Sequence, residues 1–172
     1  METKTERFCF LVRNMIIDTA IESLRTEGLK FSVDTIAAKL KISKKTIYKF
    51  FPDKENFAYA IYEKYYSRIS ERIEEIEKSG NDINFCLLML YRDASFMIRG
   101  EIFNKYKLND CIYSYVIKLQ NELWSRTVSL IAPSALQTDE VALRAIIEGA
   151  FENAEKYSVT SESIVEKLVK IL

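Results

Sequence analysis

The chain contains no histidine. That absence excludes a Ser-His-Asp triad, a Cys-His dyad and any His-ligated zinc or haem. Cysteine is sparse. Cys9, Cys86 and Cys111 lie 77 and 25 residues apart, so there is no CxxC pair and no zinc-ribbon or thioredoxin-type site. Three such thiols argue for a reducing compartment and are expected to be buried. Long hydrophobic runs are also missing near the start. The apolar run at residues 8–12 is cut off by Arg13, well short of the roughly 7–15 residues of a signal core or the roughly 20 of a membrane span. A soluble cytoplasmic protein with no membrane segment is expected. No ExxH motif, Gly-rich phosphate loop or nucleophile elbow appears, and the acid pairs Glu74-Glu75 and Asp139-Glu140 are adjacent, so they would point apart on a helix. These features argue against an enzyme and call for no metal or cofactor.

What is present is ordinary globular material, 48% apolar and 29% charged, which excludes wholesale disorder. Glycine and proline number only four and two, and most fall where apolar periodicity breaks. The expected fold class is therefore all-α, with about nine helices. Their predicted spans are 6–27, 33–40, 44–50, 54–78, 81–99, 102–107, 110–131, 139–157 and 162–172. The first carries the stripe Leu11, Met15, Ile16, Thr19, Ala20 and Leu24. The fourth carries Phe57, Ile61, Tyr65, Ile69, Ile73 and Ile76, at helical spacing. Ser32 and Ser43 are good N-caps for the second and third helices, and Pro52-Asp53 breaks the chain before the fourth.

Net charge is zero overall but uneven locally. Residues 39–54 hold six lysines against one acid, Asp53. A neutral chain with one basic patch attracts a polyanion locally and stays soluble elsewhere. The patch coincides with two short helices joined by the three-residue turn Lys41-Ile42-Ser43, a helix-turn-helix pattern. In such a unit the second helix enters the major groove while the first braces the backbone. Ala37 is small where the helices cross, Ile42 and Ile47 are apolar where they pack, and Lys44, Lys45, Thr46 and Lys49 are polar where the second helix faces out.

The stretch SVDTIAAKLKISKKTIYKFFPDKENF, with Gly28 ahead of it, resembles the TetR family of bacterial transcriptional regulators. The matching residues are Ser32, Thr35-Ile36-Ala37, Ile42-Ser43, Thr46-Ile47-Tyr48, Phe51-Pro52, Lys54-Glu55 and Phe57. The resemblance covers about residues 10–60. It implies an N-terminal three-helix DNA-binding domain at 1–53. A helical effector-binding and dimerisation domain would follow at 54–172, with 54–78 as connecting helix. Ser32 and Thr35 would meet phosphates, and Lys44, Lys45 and Thr46 would face the groove. Tyr48, Lys49 and Lys54 would reach phosphates or bases, although Tyr48 could instead pack on Phe51. Ser43 belongs to the same DNA-facing set, and for both serines capping is an equal or coexisting role. Two departures stand out. Lys41 occupies the turn where the family commonly has glycine, and a non-glycine residue in a left-handed turn costs roughly 1 kcal/mol. Lys45 replaces an early glycine of the third helix, so operator sequence cannot be borrowed from relatives.

The C-terminal part suggests a dimer and a sensor. The span 139–157 has two apolar faces, one with Val141, Ala145, Gly149 and Ala150, the other with Leu143, Ile147, Phe151 and Ala154. A helix apolar on both sides is buried twice. With Ile164 and Leu168 of the last helix, the resemblance implies that the first face is a homodimer interface; a helix simply central in a monomer stays open. Large apolar and aromatic residues crowd 85–124. The candidate effector contacts are Phe85, Met89, Arg92, Phe96, Phe103, Tyr113, Asn121 and Trp124, which suit a small apolar or aromatic ligand. The resemblance implies a repressor released from a near-palindromic operator by that ligand. A regulator controlled by a protein partner, one without effector, and an activator stay open.

Overall fold

The computed structural model describes residues 3–27, 32–80, 82–97, 110–131, 140–154 and 156–170, apart from the side chains of 25–27 and 96. Among them are eight helices and no strand: α1 (Lys4–Glu27), α2 (Val33–Leu40), α3 (Lys44–Phe50), α4 (Lys54–Ser79), α5 (Ile83–Phe96), α6 (Asp110–Ile131), α7 (Glu140–Asn153) and α8 (Ser161–Val169). The expected short helix at 102–107 lies outside the described residues. No helix among them is long and apolar enough to cross a membrane.

Local chemistry explains most helix ends. Thr3 and Glu6 form a capping box. The Glu6 carboxylate accepts from the Thr3 N–H at 2.7 Å, and the Thr3 hydroxyl accepts from the Glu6 N–H at 3.2 Å. The Thr3 N–H, then its hydroxyl, holds the Glu6 carboxyl below its ordinary range. This box starts α1 at Lys4, two residues before the predicted start. Gly80 follows α4 at φ +66°, a left-handed position that glycine occupies without steric cost. Helix α7 stops at Asn153, four residues short of the prediction. There the chain turns, with the Tyr157 N–H donating to the Asn153 carbonyl and Ser158 at φ +52°. Thr160 then caps α8, accepting from the Ser163 N–H at 3.2 Å.

The chain divides into two compact units, 1–67 with 97–116, and 68–96 with 117–172. In the first, α1 packs on α2 and α2 on α3. Its core includes Ile16, Ile17, Ala20, Ile21 and Leu24 of α1, with Ile36, Ala37, Ile47, Phe51 and Phe57. Burying each large aliphatic or aromatic side chain contributes about 1.5–3 kcal/mol before conformational entropy is set against it. The predicted α1 stripe needs correction. At 100° per residue, Leu11 and Met15 fall on the side opposite Ile16, Ala20 and Leu24, and they stay 64% and 47% exposed. The expectation of three buried thiols also fails. Cys9 and Cys111 are exposed and Cys86 is half-buried: Cys9 lies in the exposed stretch of α1 before residue 12, and Cys111 points outward beside the buried Ile112. The α4 stripe holds: Phe57, Ile61, Tyr65, Ile69, Ile73 and Ile76 are all buried.

In the second unit, α8 packs against α5 and α7. Leu87, Leu88, Tyr91, Trp124, Val128, Ile147, Phe151, Val165 and Leu168 are buried there. Two sets of its buried polar groups pair with each other, as burial favours. Gln120 donates to the Ser95 hydroxyl at 3.0 Å, and the Tyr91 hydroxyl donates to Glu148 at 2.5 Å. Burial, then the Glu148 carboxylate, pushes the Tyr91 hydroxyl pKa far above its ordinary range, so Tyr91 stays a donor.

Candidate nucleic-acid interface

The site is built on α2, the turn and α3. Ser32 caps α2. Its hydroxyl accepts from the Thr35 N–H at 3.1 Å and bonds the Thr35 hydroxyl at 2.9 Å. Ser43 repeats the device on α3, accepting from the Thr46 N–H at 3.1 Å and meeting the Thr46 hydroxyl at 2.9 Å. The Ser32 cap satisfies a helix-end N–H that would otherwise need water, and the Ser43 hydroxyl is a second acceptor for the Thr46 N–H, which also reaches the Ser43 carbonyl at 2.9 Å.

Between the caps the chain turns through Lys41, at φ 54° and ψ 38°. The Lys41 N–H donates to the Ala38 carbonyl at 3.1 Å and the Ile42 N–H to the Ala37 carbonyl at 3.0 Å. Lysine thus holds a left-handed position at the turn where the resemblance leads one to expect glycine. Ile36 and Ile47 are fully buried and Ala37 nearly so, which seats α3 on α2. With Ile47 inward, Lys45, Tyr48 and Lys49 point away from α2, whereas Lys44, three positions before Ile47, lies on the side toward α2. Lys44, Lys45, Tyr48 and Lys49 are all exposed on α3, and Ser43 is exposed at its start. Thr46 is half-buried.

The supports of this face are specific. Lys39 donates to the hydroxyl of Ser23 at 2.9 Å, tying α2 to a fully buried position of α1. Phe51 is buried with its ring 4.8 Å from Phe57, and the Arg13 guanidinium lies 5.2 Å over it. Asp53 caps α4, accepting from the Asn56 N–H at 2.7 Å and from its side-chain amide at 2.9 Å. Those two bonds, the backbone one foremost, hold the Asp53 carboxyl below its ordinary range. Lys54 follows at the first position of α4, exposed.

Residues 16–61, the segment that carries these features, match the family model of the bacterial regulatory proteins, tetR family. The N-terminal segment is a tetR-family helix-turn-helix. The description of that family is one of regulators, not of enzymes. Two uncharacterized HTH-type transcriptional regulators of Mycobacterium tuberculosis, from strains CDC 1551 and H37Rv, are each 39% identical over 49 residues. The match covers 28% of this chain and 21% of each relative, so the chain matches only about a fifth of their length. No solved structure shows a significant match.

The tetR-family head brings together most DNA-facing residues expected from sequence. Lys45, Tyr48 and Lys49 share the outer face of α3 and Lys44 is exposed at its first position, while Ser32, Thr35, Ser43 and Thr46 serve as caps and cap partners. One charged neighbour of this face escaped the sequence reading. Asp34, in the first turn of α2, forms an ion pair with Lys44. Ten residues separate them, so no helical spacing announced the contact.

The residues expected to meet an effector are less uniform. Trp124 is buried, its ring 5.2 Å from that of Tyr91, with the Arg144 guanidinium 5.7 Å above it. Arg144 also bonds Glu148 at 3.0 Å and the Asn121 side-chain oxygen at 2.8 Å. Phe85 and Met89 are half-buried, and Arg92 is paired with Asp93 at 2.9 Å. Tyr113 is 44% exposed and belongs to the first unit rather than the second. Phe103 and the side chain of Phe96 lie outside the described residues. The sequence reading missed Arg144 and Glu148, which join Tyr91 only because α5, α6 and α7 meet. Among the described residues no cluster of three potential metal ligands occurs.

Proposed function

We propose that the chain is a DNA-binding transcriptional repressor that acts as a homodimer on a near-palindromic operator and is released by a small apolar or aromatic ligand. The observation that carries the DNA-binding part is the exposed surface of α3, where three lysines and a tyrosine stand beside two serine-capped helix starts. Cations and hydroxyls in that arrangement suit phosphate oxygens and major-groove base edges. Ser32, Thr35, Tyr48 and Lys54 take the phosphate roles, and Ser43, Lys44, Lys45, Thr46 and Lys49 face the groove. The head, 1–53, would read DNA, and 54–172 would pair the subunits and sense the ligand.

The second copy is supported by α7. Its inner face, with Ile147 and Phe151, is buried, whereas Val141 and Ile146 are 77% and 58% exposed and Ala145 is exposed. A Cβ added at Gly149 would meet nothing within 4 Å, so this chain's own packing does not require the glycine. Glycine inside a helix costs about 1 kcal/mol, which close approach by another helix would offset. Val141, Ala145, Gly149, Ala150 and Ile164 form the proposed interface. Leu168 is already buried within its own chain and would support it from behind. Two α3 helices must then reach grooves about 34–36 Å apart. A ligand that releases the dimer must bind the two states with affinities differing by a few kcal/mol.

Fluorescence anisotropy against DNA from the chain's own upstream region, with scrambled DNA as control, tests the reading. Selective binding is expected, with a log–log salt slope near −7 for about eight phosphates neutralised per dimer by Lys44, Lys45, Lys49 and Lys54 of both subunits. A slope near zero, or equal weak binding to both DNAs, would overturn it.

A further inference from the structure

The basic face of α3 carries one acid at its edge. Asp34 projects from the first turn of α2, and its carboxylate pairs with the ammonium of Lys44, the first residue of α3. Their side chains are 66% and 54% exposed, respectively. A pair that open to water contributes at most about 1 kcal/mol to folding. The fold does not depend on it either, because Ile36, Ala37 and Ile47 already seat α3 on α2. The pair therefore occupies a cation of the reading face without being needed to hold that face together.

A phosphate and a carboxylate want the same thing from Lys44. Double-stranded DNA presents one negative charge per about 1.7 Å of axis. As α3 approaches the groove, Asp34 is brought toward those phosphates and repelled by them, while Lys44 is drawn to them. Both forces open the pair. We propose that Asp34 competes with DNA for Lys44, so that binding exchanges an intramolecular ion pair for an intermolecular one and Asp34 limits affinity. This rests on the reading of α3 as the DNA-facing helix. Asp34 is then a positioning residue. It touches no base, and it acts through the availability of its partner.

The test is a double-mutant cycle read by anisotropy on the upstream fragment: wild type, Asp34→Asn, Lys44→Ala and the double variant. Asp34→Asn should bind about three- to fivefold tighter per half-site, hence about ten- to twenty-five-fold tighter for a dimer on two half-sites. The gain should shrink as salt screens the pair in the wild type. In the Lys44→Ala background the same substitution should gain less than about threefold, because only the direct repulsion between Asp34 and phosphate is left to remove. Thermal midpoints of the four proteins should agree closely, since the pair contributes little to folding. Asp34→Asn that binds no tighter than wild type would overturn the proposal. So would an equal gain in both backgrounds, which would make Asp34 a general repellent independent of Lys44. Wild type that binds neither the upstream fragment nor scrambled DNA at low salt would instead defeat the DNA-binding reading itself, and that outcome is seen before any variant is compared.

Discussion

Lys41→Gly should make the protein more stable, although it deletes a whole side chain from the turn. Lys41 sits at φ 54° and ψ 38°, where a Cβ crowds the neighbouring carbonyl. That crowding costs an L-residue roughly 1–2 kcal/mol, and glycine escapes it. Glycine also loosens the unfolded chain, which takes back about 0.4–1 kcal/mol. Lys41 is exposed, so removing its stem and charge changes little else. The net gain is about 0.5–1 kcal/mol. For a chain of 172 residues that raises the thermal midpoint by about 1–4 °C. The comparison to make is Lys41→Gly against Lys41→Ala, by thermal and urea melts. The alanine variant loses the same charge but keeps the Cβ, so it isolates the backbone effect. A glycine variant no more stable than the alanine one would refute the claim that this turn stores strain.

Ser43→Ala should cost about 1 kcal/mol, because it leaves the Thr46 N–H without its side-chain acceptor, and a urea melt reads that loss directly. Ile146→Asp should convert a dimer to a monomer in sedimentation velocity without unfolding it, since Ile146 is 58% exposed within its own chain, whereas an unchanged mass would move the interface elsewhere. Tyr91→Phe should destabilise by about 1–3 kcal/mol, as the buried bond to the Glu148 carboxylate is lost, and denaturant midpoints would show it. The Asp53 carboxyl, held low by Asn56, contributes stability that is present above its ordinary value of 3.8 and lost as pH falls through its lower folded value. The melting gap between wild type and Asp53→Asn should therefore stay constant above about pH 5 and narrow in more acid solution, and a gap that widens there would contradict the assigned bonds.

The reading head could be worked out from the sequence because its determinants are local. Ser32, Ser43 and Asp53 each bond an N–H three residues on, so the residue type and its spacing suffice. The bounds of α2 and α3 and the six-residue stripe of α4 follow from short-range spacing as well. The box of Thr3 and Glu6 was equally local, and its spacing was there to be used.

Tertiary structure alone decided the rest. Leu11 and Met15 are as apolar as Ile16, and only the position of α2 determines which side of α1 is covered. The partners of Lys39, Lys44 and Tyr91 lie 16, 10 and 57 residues away in sequence. Hydrophobic burial selects a face by its area and not by residue identity, and an ion pair forms wherever two helices bring opposite charges together. Helical spacing specifies neither, so the exposed lysines of α3 were foreseeable while the acid that pairs with Lys44 was not.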